Sequence, residues 1–221
     1  MKRLVLAFVA LAACAGTAAA ADLGRPAPAP YYKAPAYAPV YNWSGFYIGV
    51  NGGGGWGTSN WTSTGSFDTS GGLVGGTVGY NYQMNQVVLG VEGDMDWANI
   101  SGSATAPGIC ALGCTTKDSW LATVRGRVGY AADRFLPYVT GGLALGDIRA
   151  SLPGFAGGTT TNAGWTIGGG IEGAIVGHWT AKVEYLYVDL GNFNCGIACG
   201  AATQNVTFTA NVLRGGINYR F

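Results

Sequence analysis

Three groups of residues in this chain have the types and spacing that chemistry could use. Glu92, Asp94 and Asp96 stand at alternate positions, as do Arg125 and Arg127 further along. Two neighbouring carboxylates can divide the roles of general acid and general base, so Asp94 and Asp96 are the first candidates for catalysis. Cys110 and Cys114, then Cys195 and Cys199, form two Cys-x3-Cys spacings that could hold disulfides or, as four thiolates, a zinc ion. His178 is the only histidine, and a lone imidazole acts only beside a nucleophile or an activated water.

The segments that carry these residues give the carboxylates a plainer meaning. From Asn42 onward the hydrophobic period is two, the period of a strand. Phe46, Ile48 and Val50 alternate with Tyr47, Gly49 and Asn51; Val74, Val78, Tyr80 and Tyr82 alternate with Gly75, Thr77, Gly79 and Asn81. Val87, Leu89, Val91, Met95 and Trp97 alternate with Glu92, Asp94 and Asp96, while Trp120, Ala122, Val124, Val128 and Tyr130 alternate with Thr123, Arg125 and Arg127. Residues 135–148 form a weaker strand whose facing the pattern does not decide. Trp165, Ile167, Ile171 and Ile175 then alternate with Thr166 and Glu172, and Val183, Tyr185 and Tyr187 with Lys182 and Glu184. Leu213, Gly215, Ile217, Tyr219 and Phe221 share one face of the last strand, opposite Arg214 and Arg220. Strands with one greasy and one charged face predict an all-β fold, an eight-stranded antiparallel transmembrane β-barrel with lipid outside and polar groups inside.

Strand alternation alone therefore puts Asp94 and Asp96 on a common inward face, which disfavours catalysis there. The predicted interior charges are Glu92, Asp94, Asp96, Glu172 and Glu184 against Arg125, Arg127, Lys182, Arg214 and Arg220, balanced in number. The strand of Glu92–Asp96 should pair with that of Arg125–Arg127, and Lys182 and Glu184 should face Arg214. An eight-stranded barrel is just wide enough for side chains to fill, and an unpaired buried charge is very costly. The expectation is a salt-bridged plug, with a narrow or gated polar pore as the alternative.

Links near Asn85, Asp133 and His178 read as short turns, and those spanning roughly 56–71, 99–118, 150–163 and 191–206 as long loops. This rhythm places both termini in the periplasm, as barrels with short periplasmic turns and longer external loops do. Gly52–Gly55 reads as a flexible strand end leading into the first long loop. Aromatic residues sort into two interfacial belts. Trp43, Tyr80, Tyr82, Tyr130, Tyr138, Trp179, Tyr219 and Phe221 fall near the short turns, and Trp97, Trp120, Trp165 and Tyr187 near the long loops. His178 then belongs to a surface turn, with no partner for a His-dependent mechanism in view.

Composition agrees. Charged residues are 10% of the chain, and 39 glycines argue against long helices. After the N-terminus no apolar run approaches the roughly 18–20 residues of a membrane helix. A net charge of +1 gives no reason to expect nucleic-acid binding. Lys2 and Arg3, the apolar run Leu4–Ala13 and Ala18-x-Ala20 predict a signal peptide over residues 1–20. Leu11-Ala12-Ala13-Cys14 is a rival lipobox in which Cys14 would be acylated. Residues 21–41, with Pro26, Pro28, Pro30, Pro35 and Pro39, read as an extended periplasmic spacer. Residues 42–221 are the barrel.

Three segments resemble a known family: Trp43-Ser44-Gly45-Phe46-Tyr47-Ile48-Gly49, Glu184-Tyr185-Leu186-Tyr187, and Arg214-Gly215-Gly216-Ile217-Asn218-Tyr219-Arg220-Phe221. They are similar to the small outer-membrane β-barrels that include the outer-membrane immunogenic proteins, related to opacity-type adhesins and the OmpA transmembrane domain. The resemblance covers roughly residues 42–221. It implies an outer-membrane location amid lipid and lipopolysaccharide, with loops open to external or host ligands. It also implies recognition of Leu213, Ile217, Tyr219 and Phe221 by the outer-membrane assembly machinery. The expected function is a structural surface barrel, with a porin-type channel for small hydrophilic solutes as the alternative. An enzyme is disfavoured and no cofactor is called for. An exported chain favours disulfides in the local pairs Cys110–Cys114 and Cys195–Cys199; cross-loop pairing and a four-cysteine zinc site remain alternatives.

Overall fold

The eight strands predicted by the period-two pattern are present, each antiparallel to the next, and the first pairs with the last. The computed structural model describes residues 41–61, 65–106, 110–151, 158–194 and 205–221. The expected signal peptide, Cys14 and the spacer up to residue 40 lie outside the described residues. So do Cys195 and Cys199 and the side chains of Cys110 and Cys114.

The strands are β1 (Gly45–Trp61), β2 (Gly65–Met84), β3 (Val87–Ala106), β4 (Cys110–Tyr130), β5 (Phe135–Ser151), β6 (Gly158–Val176), β7 (Trp179–Asn194) and β8 (Asn205–Arg220). The ring closes through β1 and β8, in register from Tyr47↔Arg220 to Trp61↔Val206. Closure leaves no lateral edge along the wall, which is what a sheet in hydrocarbon requires.

The three short links are tight because they hold residues that tolerate a positive φ: Asn85 at 55°, Asp133 at 55° and Gly177 at 54°. Backbone bonds stitch this end of the wall from strand to strand. Ala131 N donates to Gln86 O at 2.7 Å, Ala174 N to Arg134 O at 2.8 Å and Arg220 N to His178 O at 2.9 Å.

The other end differs from expectation. The segments read as long loops are mostly strand: β1 runs on to Trp61, β2 begins at Gly65, and β3 and β4 reach Ala106 and Cys110. Gly52–Gly55 lies within β1, paired on both sides, and is no strand end. The strands hold 16 to 21 residues, against roughly 9–11 needed to cross a bilayer. These extensions, rich in Ser, Thr, Asn and Gly, sit where the wall stands clear of the apolar band. There a strand has no need of a greasy outer face, so composition ceases to mark it.

The outward face carries the predicted apolar side chains. Phe46, Ile48, Val50, Val74, Val91, Val124, Ile167 and Val183 are all exposed. The undecided strand β5 turns Phe135, Val139 and Leu143 outward and Leu136, Tyr138, Thr140 and Ala144 inward. From Val87 to Trp97 the band spans eleven residues of tilted strand, roughly 25 Å. Trp97, Trp165, Tyr82, Tyr130 and Trp179 keep their exposed belt positions.

Candidate functional site: the barrel interior

Inward alternation aims one side chain in two at the axis, and here these side chains fill the lumen in three tiers. At the short-turn end Trp43 is fully buried against Val88, Ala131 and Leu136. This corrects its placement in the lipid-facing belt. Trp43 precedes β1, so strand alternation does not govern it, and the chain carries its ring under the open end. Its backbone N–H donates to Gln83 Oε1 at 2.7 Å, and its indole N–H reaches the carbonyl of Asp133 at 3.4 Å.

The middle tier is ionic. Glu92 stands directly opposite Arg125 across β3 and β4, and Glu184 opposite Arg214 across β7 and β8. Arg125 reaches Glu92 at 2.5 Å, Asp94 at 2.7 Å and Glu184 at 3.1 Å. Arg214 reaches Asp96 at 2.6 Å, Glu184 at 2.7 Å and Asp94 at 2.8 Å. Arg127 pairs with Glu172 at 2.8 Å, and Lys182 crosses the lumen to Glu92 at 2.9 Å. Nine of the ten predicted interior charges are thus brought together, and all nine are buried.

Arg220 is the exception. It points inward but belongs to the tier below, where it donates to the carbonyl of Asn42 and lies over the rings of Tyr41 and Trp43. The ionic layer therefore holds five carboxylates and four cations rather than balanced sets. Position on the last strand decides this. Arg220 pairs with Tyr47 at the rim, six residues below Arg214, too far to join the same layer.

Neutral partners that the charge pattern does not reveal complete the layer. Tyr47 donates to Glu92 at 2.7 Å and Tyr138 to Glu184 at 3.0 Å. Thr77 and Thr123 donate to Asp94, and Thr180 and Asn218 to Glu172. Tyr138, expected in the lipid belt, is instead buried, its ring beneath Arg127 at 3.9 Å. Its even-numbered position on β5 is the usable signal, but the alternation in that strand does not decide its facing. Space for these long side chains comes from inward glycines. A Cβ on Gly75 would stand 2.0 Å from Asp96 Oδ1, and one on Gly79 would stand 2.4 Å from the Tyr47 ring.

The third tier, towards the long-loop end, departs from the expected polar interior: the lumen there is mainly apolar, with Ser59 and Thr69 buried beside it. Leu73, Ile100, Leu121, Ala144, Leu186, Val188, Leu190, Phe208, Ala210 and Val212 form one buried cluster with Ala98. Leu186 and Val212 sit one inward step beyond Glu184 and Arg214 on their strands, so the change from charge to hydrocarbon is abrupt. Asp147, in the strand whose facing the pattern does not decide, is a further buried carboxylate.

Chemically, the carboxylates close a network of ion pairs rather than present a reactive group. Among the described residues no set of three or more His, Cys, Asp or Glu side chains could hold a metal ion. His178 lies exposed at the β6–β7 turn, 5.7 Å from the Tyr219 ring. On the outer face Leu213, Ile217 and Phe221 are exposed, and Tyr219 packs edge-on against Trp179 at 5.1 Å and Phe221 at 5.4 Å.

Comparison with known proteins adds the context for this geometry. A family described as the outer membrane protein beta-barrel domain matches residues 6–221. The 31 kDa outer-membrane immunogenic protein of Brucella melitensis biotype 1 is 40% identical over 249 residues, covering 100% of both chains. The 22 kDa outer membrane protein of Rhizobium leguminosarum bv. viciae is 36% identical, covering 83% of this chain and 80% of its own. Among solved structures, Neisserial surface protein A superposes with a TM-score of 0.46 at 18% identity, over 80% of this chain and 98% of that one.

Proposed function

As the chain belongs to the outer membrane protein beta-barrel family and resides in the outer membrane, we propose that it is a non-conducting structural barrel that displays its long-loop end at the cell surface. The observation that carries this reading is the filled lumen. A solute crossing it would have to displace Trp43, part an ion-paired layer and then open a hydrocarbon cluster. Ion pairs inside a protein persist only while they satisfy one another, so opening the middle tier would strand charges at a cost of several kcal/mol.

Relatives named outer-membrane immunogenic proteins support surface display. On this reading the short-turn end faces the periplasm, residues 1–20 are the signal peptide and residues 21–41 the spacer. The barrel stands among membrane lipid and lipopolysaccharide. The outward row Leu213, Ile217, Tyr219 and Phe221 serves the assembly machinery, and Cys195 and Cys199 pair with each other; Cys110 and Cys114 both lie in extended β4, roughly 13 Å apart along the strand, too far for the expected local pair.

Purified protein in a planar bilayer tests the reading. The expected result is no reproducible conductance step at moderate voltage. Stable, repeated steps would replace the structural barrel with a channel for small hydrophilic solutes.

A further inference from the structure

The seam that closes the barrel is poor in side chains. In the seven β1–β8 pairs from Gly49↔Asn218 to Gly55↔Val212, six contain a glycine, and Gly52 faces Gly215. The β3–β4 seam, by contrast, sets Glu92 against Arg125, Leu89 against Val128 and Trp97 against Trp120. Cross-strand side-chain pairs stabilise a sheet and specify its register, and glycine-rich strands slip more readily. The closing seam must therefore be held by contacts other than direct cross-strand side-chain pairs. Arg214 does this at the middle of β8, through Asp94, Asp96 and Glu184.

We propose that Tyr41–Trp43 is a clasp that locks the short-turn half of this seam. Arg220 reaches the clasp only when β8 is in register with β1. Its guanidinium then donates to the Asn42 carbonyl and lies 4.7 Å from the Tyr41 ring centre and 5.6 Å from that of Trp43. Trp43 is itself tied to Gln83 near the end of β2 and to Asp133 in the β4–β5 turn. A two-residue slip of β8 would keep every face correct but carry Arg220 roughly 7 Å away. The clasp thus removes the slip that the glycines leave open, and it joins the last strand to elements on the far side of the mouth.

Amide hydrogen exchange on the full chain in lipid or detergent reads this directly. Arg220→Ala should speed exchange of Tyr47–Val50 and Ile217–Arg220 about tenfold, the loss of one charged hydrogen bond and a cation–π contact. Amides of the β5–β6 pairs Leu143↔Trp165 and Leu145↔Ala163, away from the clasp, should be unchanged. Tyr41→Leu lies outside every strand and should act the same way, so the test survives if Arg220→Ala fails to assemble. Gly52→Val with Gly215→Val adds an outward cross-strand pair. A Cβ at either site meets nothing nearer than 3.5 Å, and the pair should slow the exchange that Arg220→Ala accelerates. Unchanged β1 and β8 exchange would overturn the proposal. So would a uniform rise in every strand, or no rescue by the added valines.

Discussion

The two inner halves of the lumen are filled by opposite chemistry within one wall. Around Arg214 each side chain is held by several partners at fixed distances, so each position depends on its neighbours. Around Phe208 the same inward positions hold hydrocarbon, whose demand is volume rather than direction. The ionic half does not earn its place by strength, because a buried ion pair is often no more stable than the apolar residues that could replace it. What it confers is interdependence: Arg214 on β8 touches carboxylates on β3 and β7, and so ties together strands that are not all neighbours. The apolar half excludes water and tolerates rearrangement. The ionic half should fail abruptly when one member goes, whereas the apolar half should weaken in proportion to the volume removed.

The sharpest way to break that comparison is Arg214→Ala. It leaves Asp96 buried without a cation and Asp94 and Glu184 with Arg125 alone, and the expected loss is about 3–5 kcal/mol of unfolding free energy. Urea unfolding in lipid vesicles measures it. Adding Asp96→Asn should cost less than the sum of the single changes, because the stranded charge is removed with its partner. A strictly additive pair would mean that the layer does not act as a unit. Next in size is Phe208→Ala, expected to cost about 3–4 kcal/mol through the cavity it leaves. Combined with Arg214→Ala, it should show little coupling if the halves are as separate as their chemistry. Coupling above about 0.5 kcal/mol would show that they share one packing unit.

The ionic half was legible in the sequence and the apolar half was not. Glu92, Asp94 and Asp96 announce an inward face because charge is scarce in this chain and can be accommodated only inside. Leu186, Val188 and Leu190 carry no such mark. Tyr185 and Tyr187 alternate with them, both faces of β7 turn greasy, and the period-two signal vanishes just where the lumen becomes hydrocarbon. The same loss of contrast hid the strand extensions, whose faces are polar on the outside. Trp43 was misplaced for a different reason. Its type suits an interfacial belt, but its fate depends on a chain path beneath the mouth that no local pattern records. Arg220 followed it, since a cation one step from the rim has an aromatic floor within reach that sequence spacing cannot reveal.

The smallest expected effect asks whether the ionic half depends on its neutral members as well as its charges. Tyr138→Phe removes one hydroxyl that donates to Glu184 at 3.0 Å and leaves the ring that supports Arg127 at 3.9 Å. Glu184 keeps Arg125 and Arg214, so the carboxylate is not stranded. The loss should be about 1.5 kcal/mol, the low end for a single hydrogen bond to a charged group. Tyr138→Ala should cost several times more, because it also removes the ring beneath Arg127. If both substitutions cost the same in urea unfolding, the hydroxyl is the whole contribution and the ring none. If Tyr138→Phe costs nothing, the layer is held by its ion pairs alone, and its neutral donors only fill space as the hydrocarbon half does.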